Sequence, residues 1–430
     1  MRETASEWAQ RSWKVFPGGS LGEYNLPREL SVVLTRGQGA RVYDATGREF
    51  IDLTMGWGSV ILGHGHQKIY EAVVRQAEQG SNFSYVSGPA LELAEELVRA
   101  VPCAEKVRFC ASGTEATMYA VRFARAYKGR EKIVKFEGAY HGGNEFGTIS
   151  LFPQQLLDFP MANPTSAGIP RAACDEVLIA PYNYLETTSR IIAENASEIA
   201  AVIVEPLHRC TIPVAGFLEG LRDITRKHDI LLIFDEVMTG FRLAYGGAQE
   251  YYGVVPDLAA LGKALGGGYP VGAVVGRADI LDLCNEADLG KERFVWFAST
   301  VGGNPVTAAA ALATLEELRK PGTYERLFDL GERLRSGFRS ILSELDIVAQ
   351  VLGDGPLCAL SFTGEKVIDY RSTFRSDRAK ERAFKLGLFR NGVFLNPLST
   401  KLYLSTAHGD EELDMVHSAS RKVLKEIYSH

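Results

Sequence analysis

Three short apolar runs constrain the fold of this chain more than any other feature: Ile230–Phe234, Leu258–Leu261 and Val271–Val275. Each run is rich in branched side chains and is bounded by polar residues or glycine, which predicts three buried strands of a parallel sheet. Asp235 directly follows the first run, and Lys263 follows the second. Because ligands bind at the carboxyl ends of the strands in open α/β sheets, we expect a carboxylate and an amine at the same ligand-binding edge.

The bulk composition excludes several classes of protein. The 430 residues are 46% hydrophobic and 23% charged, with a net charge of −6 and acidic and basic residues intermixed. A clustered basic face, which nucleic-acid binding needs, is not apparent. The six cysteines form no CxxC pair, and the opening MRETASEWAQ lacks the apolar core of a signal peptide. We therefore predict a cytoplasmic protein with neither nucleic acid nor membrane as a partner.

A cofactor follows from the paired amine and carboxylate. Pyridoxal 5'-phosphate needs an amine with which to form a Schiff base, and a carboxylate that keeps its ring nitrogen protonated so that the ring accepts electrons. Lys263 would supply the amine and Asp235 the carboxylate. Taken singly, each residue is more typical of a solvated charge or a turn at a strand end. The two together predict this cofactor.

A phosphate site is predicted at the start of the helix in SGTEATMYAVRFARAYKG. Ser112 and Glu115 have the spacing of a capping box. The first amides of such a helix bind anions, Gly113 allows a close approach, and the Thr114 hydroxyl can donate a further bond. The alternative is an ordinary capped helix. We assign Ser112, Gly113 and Thr114 to the phosphate of the cofactor.

Four long motifs place the chain beside a known family: FDEVMTGFR, LGKALGGGYPVGA, SGTEATMYAVRFARAYKGREKIVKFEGAYHG and TVGGNP. They resemble the class III (fold type I) pyridoxal-phosphate aminotransferases, most closely the glutamate-1-semialdehyde 2,1-aminomutase-like branch. The resemblance runs from Phe16 to Gly409. It implies an α/β fold whose large domain holds a mainly parallel seven-stranded sheet flanked by helices, and a smaller α+β domain built from both termini.

Domain boundaries follow from where strands and helices alternate. Residues 1–65 lack the alternation and are predicted to join the small domain. Residues 66–304 alternate in the manner of a parallel α/β sheet and form the large cofactor-binding domain. Residues 305–430 predict long helices with few strands, and these form the C-terminal small domain.

The resemblance also implies roles for residues that the pattern alone leaves ambiguous. Tyr140 would stack on the pyridine ring and take part in catalysis, and His141 would structure the same cofactor-binding loop. Glu205 would lie beside the cofactor, and Val237 would pack on the ring face opposite Tyr140. Thr300 would reach the partner's cofactor phosphate, which implies a homodimer with shared active sites. A lone tyrosine or valine is otherwise more typical of a core.

The substrate side departs from the aminomutase pattern. After PGG, Gly22 and Asn25 fall where that branch has Ser and Arg, and Thr400 or its neighbour falls where it has Glu. We therefore predict an aminotransferase that moves an amino group from an amino acid or amine to a keto acid or aldehyde, by a ping-pong mechanism through a Lys263 Schiff base. The alternatives are an aminomutase, or an amino-acid racemase or epimerase of the same branch.

Candidate substrate residues are Trp57, Arg209 and Lys401. Trp57 lies in a glycine-rich segment and is either an active-site wall or a core residue. A substrate carboxylate in a dry site calls for an arginine, and Arg209 follows a strand end where the resemblance leads us to expect small residues. Lys401 is a second candidate. For both cations the alternative is a solvated surface charge. We predict no metal site, since His64 and His66 have no further ligands at suitable spacing.

Overall fold

The computed structural model describes residues 4–153, 155–399 and 401–429, so that Thr400 lies outside the described residues. The chain divides into two compact units. The smaller unit comprises Met1–Gln67, Pro321–Val367 and Arg371–His430, and the larger comprises Lys68–Lys320 with Ile368–Tyr370.

The strands of the described residues are, in chain order, β1 (Leu34–Gln38), β2 (Arg41–Asp44), β3 (Glu49–Asp52), β4 (Lys106–Cys110), β5 (Lys132–Phe136), β6 (Val177–Ala180), β7 (Ile199–Val204), β8 (Leu231–Asp235), β9 (Leu258–Gly262), β10 (Gly272–Gly276), β11 (Gln350–Leu352), β12 (Leu357–Ser361), β13 (Val393–Phe394) and β14 (Leu402–Tyr403). The α-helices are α1 (Ala5–Val15), α2 (Met55–Gly58), α3 (Gln67–Gln79), α4 (Gly88–Ala100), α5 (Gly113–Lys128), α6 (Glu145–Thr148), α7 (Arg171–Asp175), α8 (Leu185–Asn195), α9 (Phe217–Lys227), α10 (Gly247–Tyr252), α11 (Ala278–Leu281), α12 (Pro305–Leu318), α13 (Thr323–Glu344), α14 (Arg378–Arg390) and α15 (Asp410–Tyr428).

The larger unit is organised around a seven-stranded sheet with the strand order β4-β10-β9-β8-β7-β5-β6. Strands β6, β5, β7, β8 and β9 run parallel to one another. Strand β10 is antiparallel to both β9 and β4. The predicted seven-stranded, mainly parallel sheet is therefore confirmed.

One strand differs from its prediction. The run Val271–Val275 forms β10, and the expectation that it is parallel is wrong, because β10 is antiparallel to its two neighbours. A parallel return needs a crossover of a dozen or more residues, usually through a helix. The segment between β9 and β10 holds only a 3-10 turn, Lys263–Gly266, so the chain reverses its direction there.

Burial explains why the central strands are apolar along their whole length. Every residue of β7, β8, β9 and β10 is buried. Helix α5 packs across these strands, and its Ala120 and Phe123 join Ile233 and Ala260 in one core. This packing fixes the N-terminus of α5 just after the end of β4, which is how the fold positions the predicted phosphate site.

The smaller unit combines two small sheets with helices, as the predicted α+β architecture requires. The sheets have the strand orders β1-β2-β3-β13 and β11-β12-β14. Helices α13 and α14 both pack against α15, with Leu334, Phe338, Leu388 and Val416 in the core.

Helix α12 lies in the larger unit, whereas the sequence-based boundary at residue 304 assigns it to the small domain. The helix packs against α4, and Ala310, Ala311 and Leu315 are buried. Small alanine side chains let the two helices approach closely, so α12 contributes to the core of the larger unit. No helix in the described part of the chain is long and apolar enough to cross a membrane.

Candidate active site

The sheet brings Asp235 and Lys263 to one edge. Asp235 is the last residue of β8 and is paired in register with Ala260 of the parallel strand β9. Lys263 follows the end of β9 and starts a 3-10 turn, with a left-handed φ of 45°. Such a φ is costly for a residue with a side chain, and it re-aims the chain at the point where the strand stops. Both residues therefore lie at the carboxyl ends of adjacent strands.

Asp235 is held in a fixed orientation by two donors. Nδ1 of His141 lies 2.7 Å from Oδ2, and the backbone N–H of Val237 donates to Oδ1 at 3.1 Å. Asp235 is 5% exposed and His141 is fully buried. Since an ionised carboxylate only accepts, Nδ1 carries the proton. Nε2 of His141 is buried and has no hydrogen-bond partner among the described residues.

Val237 connects this pair to the start of α5. A Cβ added to Gly113 would lie 2.6 Å from Cγ1 of Val237, so the two residues are in direct contact and only glycine fits at position 113. The carboxylate of Asp235 and the first turn of α5 are thus separated by one side chain. The contact with Val237 is a reason for glycine at position 113 that the sequence did not indicate. The close approach of a phosphate at Gly113 stays a prediction.

Helix α5 begins beside this contact, at Gly113. Ser112 is the N-cap, and its Oγ accepts from the backbone N–H of Glu115 at 3.2 Å. The Glu115 carboxylate accepts from the N–H of Ala111 rather than that of the N-cap, so the predicted capping box is formed only in part. Thr114 Oγ1 accepts from the N–H of Gly143 at 3.2 Å, which ties the helix to the loop after β5. The first amides of a helix have no partner within the helix, so this N-terminus is suited to an anion.

Tyr140 and Glu205 are linked through the backbone. The N–H of Tyr140 donates to Oε2 of Glu205 at 3.3 Å. Glu205 directly follows β7 and is 6% exposed, whereas Tyr140 is 43% exposed. The loop after β5 thus contacts the carboxylate that follows β7 and the one that ends β8, through two consecutive residues, Tyr140 and His141.

A buried lysine below this loop was missed by the sequence-based reasoning. Lys135 lies in β5 and is fully buried, and its ammonium donates to backbone carbonyls of the loop. Burial lowers the pKa of Lys135 to about 7, while the negative charge of Glu205 raises it in part. A lysine inside the apolar run KIVKF was the available signal, since lysine is rarely found fully buried.

His208, in the segment after Glu205, has a buried position. His208 is 2% exposed, and its Nε2 lies 4.0 Å from Oε2 of Glu205. Its ring meets that of Tyr182 edge-on, with centroids 4.9 Å apart. The Tyr182 hydroxyl donates to the carbonyl of Pro206 at 2.8 Å. His208 therefore packs between Tyr182 and Glu205 in the buried part of the larger unit.

Arg209 is engaged with the backbone rather than solvated. Its Nε donates to the carbonyl of Gly138, and Nη2 lies 3.5 Å from the carbonyl of Leu151. Its guanidinium carbon stacks 4.5 Å from the ring centre of Phe152. Arg209 has a left-handed φ of 49°. These contacts tie the segment after Glu205 to both ends of the loop that carries Tyr140.

Thr300 lies at the surface of the larger unit. It is exposed, and its carbonyl accepts from Nδ2 of Asn82 at 3.0 Å. Trp57 and Lys401 both belong to the smaller unit. Trp57 is half-buried, has a left-handed φ of 58° and meets Tyr24 edge-on at 5.7 Å. Lys401 is half-buried, and its N–H donates to Oγ of Ser399 at 3.0 Å.

The residues at the sheet edge fit pyridoxal phosphate. An amine and an oriented carboxylate lie on adjacent strands, and a helix N-terminus with a glycine that tolerates no Cβ lies beside them. The buried Nε2 of His141 is a further polar atom that a bound group could satisfy. Within the described ranges, no group of three or more His, Cys, Asp or Glu is arranged to hold a metal ion, and His64 bonds Asp52 instead.

Comparison with known proteins identifies the family. The sequence model described as "Aminotransferase class-III" matches residues 25–417. The chain therefore belongs to the class III aminotransferase family, and the predicted resemblance and fold type I architecture are confirmed. The chain is 42% identical over 424 residues to a glutamate-1-semialdehyde 2,1-aminomutase of Pelotomaculum thermopropionicum, covering 97% of this chain and 96% of that protein.

Solved structures agree. An omega-transaminase from Sphaerobacter thermophilus matches with a TM-score of 0.92 and 36% identity, over 98% of this chain and 97% of that one. A transaminase with pyridoxal phosphate bound matches with a TM-score of 0.89 and 29% identity, over 100% of this chain and 99% of that one. Both transaminases thus share this fold over nearly the whole chain.

Proposed function

We propose that this chain is a pyridoxal-phosphate enzyme that transfers amino groups. The observation that carries the proposal is the buried carboxylate of Asp235, which His141 orients at a strand end adjacent to that of Lys263. When bound, the cofactor supplies a protonated ring that acts as an electron sink. The related transaminase structure with this cofactor bound supports the same assignment.

The reacting groups have separate tasks. Lys263 would hold the cofactor through its amine, and the same amine would act as the base that takes the proton from the amine-bearing carbon of the substrate. Asp235 would accept a hydrogen bond from the ring nitrogen and so keep that nitrogen protonated. His141 holds the Asp235 carboxylate in place, since its Nδ1 lies 2.7 Å from Oδ2.

The remaining residues bind and enclose the cofactor. Ser112, Gly113 and Thr114 hold the phosphate at the N-terminus of α5. Tyr140 and Val237 would pack against the ring and exclude water from it. Glu205, which accepts from the Tyr140 N–H, would lie beside the cofactor. Each of these roles is a proposal that rests on the resemblance and on the contacts above.

Two outcomes of the amino transfer have specific support. The aminomutase relative favours the alternative, a glutamate-1-semialdehyde-type aminomutase, over the intermolecular aminotransferase that we preferred from the sequence. The aminotransferase is favoured by Gly22 and Asn25 on the substrate side and by the similarity to the omega-transaminase. We retain the aminotransferase as our first candidate and the aminomutase as the second. A racemase or epimerase is the remaining sequence-based alternative.

One experiment separates these outcomes. The purified protein, loaded with pyridoxal phosphate, is given an amino donor alone and its absorbance is followed. An aminotransferase converts its cofactor once to the aminated form and turns over only when a keto acid or aldehyde is added. An aminomutase instead turns over glutamate 1-semialdehyde without a second substrate. A racemase or epimerase inverts its amino acid with no keto product. Absence of any spectral change with all donors would refute amino transfer.

Substrate recognition is a further proposal. Trp57, Arg209 and Lys401 remain the candidate substrate residues. Arg209 already donates to the carbonyl of Gly138 and contacts that of Leu151, so binding a substrate carboxylate would be a second task for its guanidinium. We propose that the substrates are small amino donors and carbonyl acceptors, and that the enzyme is cytoplasmic.

A homodimer with shared sites is proposed from the surface around Thr300. Asn82 bonds the Thr300 carbonyl, and the residues beside these two expose large apolar side chains. The exposed fractions are 52% for Phe83, 87% for Tyr85 and 64% for Trp296. Exposed apolar clusters of this kind are typical of protein interfaces.

Sharing can be tested by mixing two inactive variants. In a Lys263→Ala subunit the amine is lost, and in a Thr300→Glu subunit a negative charge repels the phosphate. A mixed dimer with shared sites contains one intact site, so unfolding and refolding the two together restores activity. If the mixture stays inactive while wild-type protein recovers under the same treatment, Thr300 does not serve the partner's site.

A further inference from the structure

A buried ammonium lies under the loop that carries Tyr140 and His141. Nζ of Lys135 donates to the carbonyls of Ala139, Phe146 and Gly147 at 3.1 Å each, and to that of Ile149 at 2.6 Å. The side chain of Lys135 is fully buried. An ammonium has three donor protons, so four carbonyl acceptors use all of them. Both ends of the loop 139–149 are therefore bonded to one charged atom.

The loop is compact around this atom, and its two functional residues point to neighbouring carboxylates. Asn144 Oδ1 accepts from the N–H of Gly147 at 2.7 Å, which closes the loop internally. Tyr140, next to Ala139, donates its N–H to Glu205, and His141 bonds Asp235. The carbonyl of Ala139, which Lys135 bonds, is thus one peptide unit from the contact with Glu205 and two from the contact with Asp235.

Charged groups surround Lys135 on the adjacent elements. The carboxylates of Glu205 and Asp235 raise its pKa, whereas Arg209 and above all burial lower it. Burying an ammonium is costly, and a buried ion contributes little net stability compared with an apolar side chain of similar volume. An apolar residue at position 135 could not bond the loop carbonyls, so what Lys135 adds is a fixed position for the loop.

We propose that Lys135 is a positioning residue: its buried ammonium fixes the loop 139–149 and thereby holds Tyr140 on Glu205 and His141 on Asp235. The proposal rests on the proposed function for its catalytic consequence, and on the loop geometry alone for its structural one. Because His141 orients the carboxylate that serves the cofactor ring, a loosened loop slows the reaction. Misplacement by about 1 Å at such a site can lower a rate on the order of 100-fold.

The test compares Lys135→Met with Lys132→Met. Methionine keeps the length and removes the donors. Lys132 lies on the same strand but pairs with Glu198 at 2.7 Å, away from the loop. Hydrogen exchange is measured on the cofactor-free proteins, and the half-reaction with an amino donor is then measured on the loaded ones. We expect faster exchange confined to 139–149 and a half-reaction slowed on the order of 100-fold in Lys135→Met, with neither change in Lys132→Met.

Three results would overturn the proposal. The first is that hydrogen exchange of the loop in Lys135→Met equals that of the wild type. The second is that the loop of Lys135→Met exchanges faster while the half-reaction rate and the absorbance of the bound cofactor stay unchanged. The third result applies if Lys135→Met does not fold, and it is measured on the wild type as a function of pH. Above a pH of about 7 the amine of Lys135 loses its charge and one donor. Loop protection, corrected for intrinsic exchange, should then fall between about pH 6 and 9; constant protection refutes the proposal.

The same measurements separate this proposal from the proposed function. If the wild type shows no spectral conversion with any donor, amino transfer is refuted. Loop exchange in the cofactor-free protein still decides whether Lys135 holds Tyr140 and His141 in place.

Discussion

The bond between His141 and Asp235 gives the sharpest prediction. His141→Leu replaces a fully buried imidazole with an aliphatic side chain and removes the donor that lies 2.7 Å from Oδ2. Among the described residues, the N–H of Val237, at 3.1 Å from the other oxygen, is then the donor that Asp235 keeps. With 5% exposure, Asp235 has little water to replace the lost donor. A hydrogen bond to a charged group contributes about 1.5–3 kcal/mol.

That free energy sets the expected size of the effect. If the lost bond acts fully on the reacting state, the rate constant of the half-reaction falls by about 10- to 150-fold, because about 1.4 kcal/mol corresponds to a factor of ten. His141→Asn is the matched control, since the amide nitrogen of asparagine lies at nearly the same distance along the side chain as Nδ1. We expect His141→Asn to recover a large part of the lost rate.

The assay is rapid mixing of loaded enzyme with an amino donor, followed by the absorbance of the cofactor, together with equilibrium binding of the cofactor. The rate constant should fall more than the occupancy, because Asp235 acts on the developing charge rather than on the phosphate. A rate constant for His141→Leu that equals the wild-type value at full occupancy would refute the role given to this bond.

The other predictions concern single residues. Lys263→Ala should lose turnover and the visible band of the lysine-bound cofactor, and borohydride reduction of the wild type followed by peptide mapping should label Lys263; a label on another lysine refutes the assignment. Asp235→Asn removes the charge that keeps the ring nitrogen protonated, so kcat should drop far more than cofactor occupancy, and normal turnover would contradict the electron-sink role. Arg209→Ala should raise KM for carboxylate-bearing donors and leave neutral donors nearly unchanged; an equal loss with both kinds of donor would show instead that Arg209 acts only through its contacts with the carbonyls of Gly138 and Leu151. Burial raises the pKa of Glu236 from 4.5 to about 7, so its contribution to stability is complete below its unfolded pKa and is lost as pH rises through about 7. Between about pH 5 and 8, the free energy of unfolding measured with urea should therefore fall by up to ~3 kcal/mol more for the wild type than for Glu236→Gln. Parallel pH curves for the two proteins would refute this.

Much of the fold could be predicted because its signals are local. The apolar runs before Asp235 and Lys263 became the buried strands β8 and β9, since burial on both faces demands continuous branched side chains. The four residues from Ser112 to Glu115 were enough to predict Ser112 as the N-cap of α5. The direction of β10 was predicted wrongly because strand direction depends on the connection, and the run Val271–Val275 has the same composition in either direction.

What the sequence determined by itself was the chemistry available: a lysine and an aspartate after buried strands, and a glycine at the start of a helix. Tertiary structure decided how those groups are oriented. Nδ1 of His141 meets Asp235 across 94 positions of sequence, and the guanidinium of Arg209 reaches the carbonyl of Gly138. Lys135 became the centre of a loop only once four carbonyls converged on it. Hydrogen bonds between distant segments depend on how strands are ordered in the sheet, and no local pattern of residues records that order.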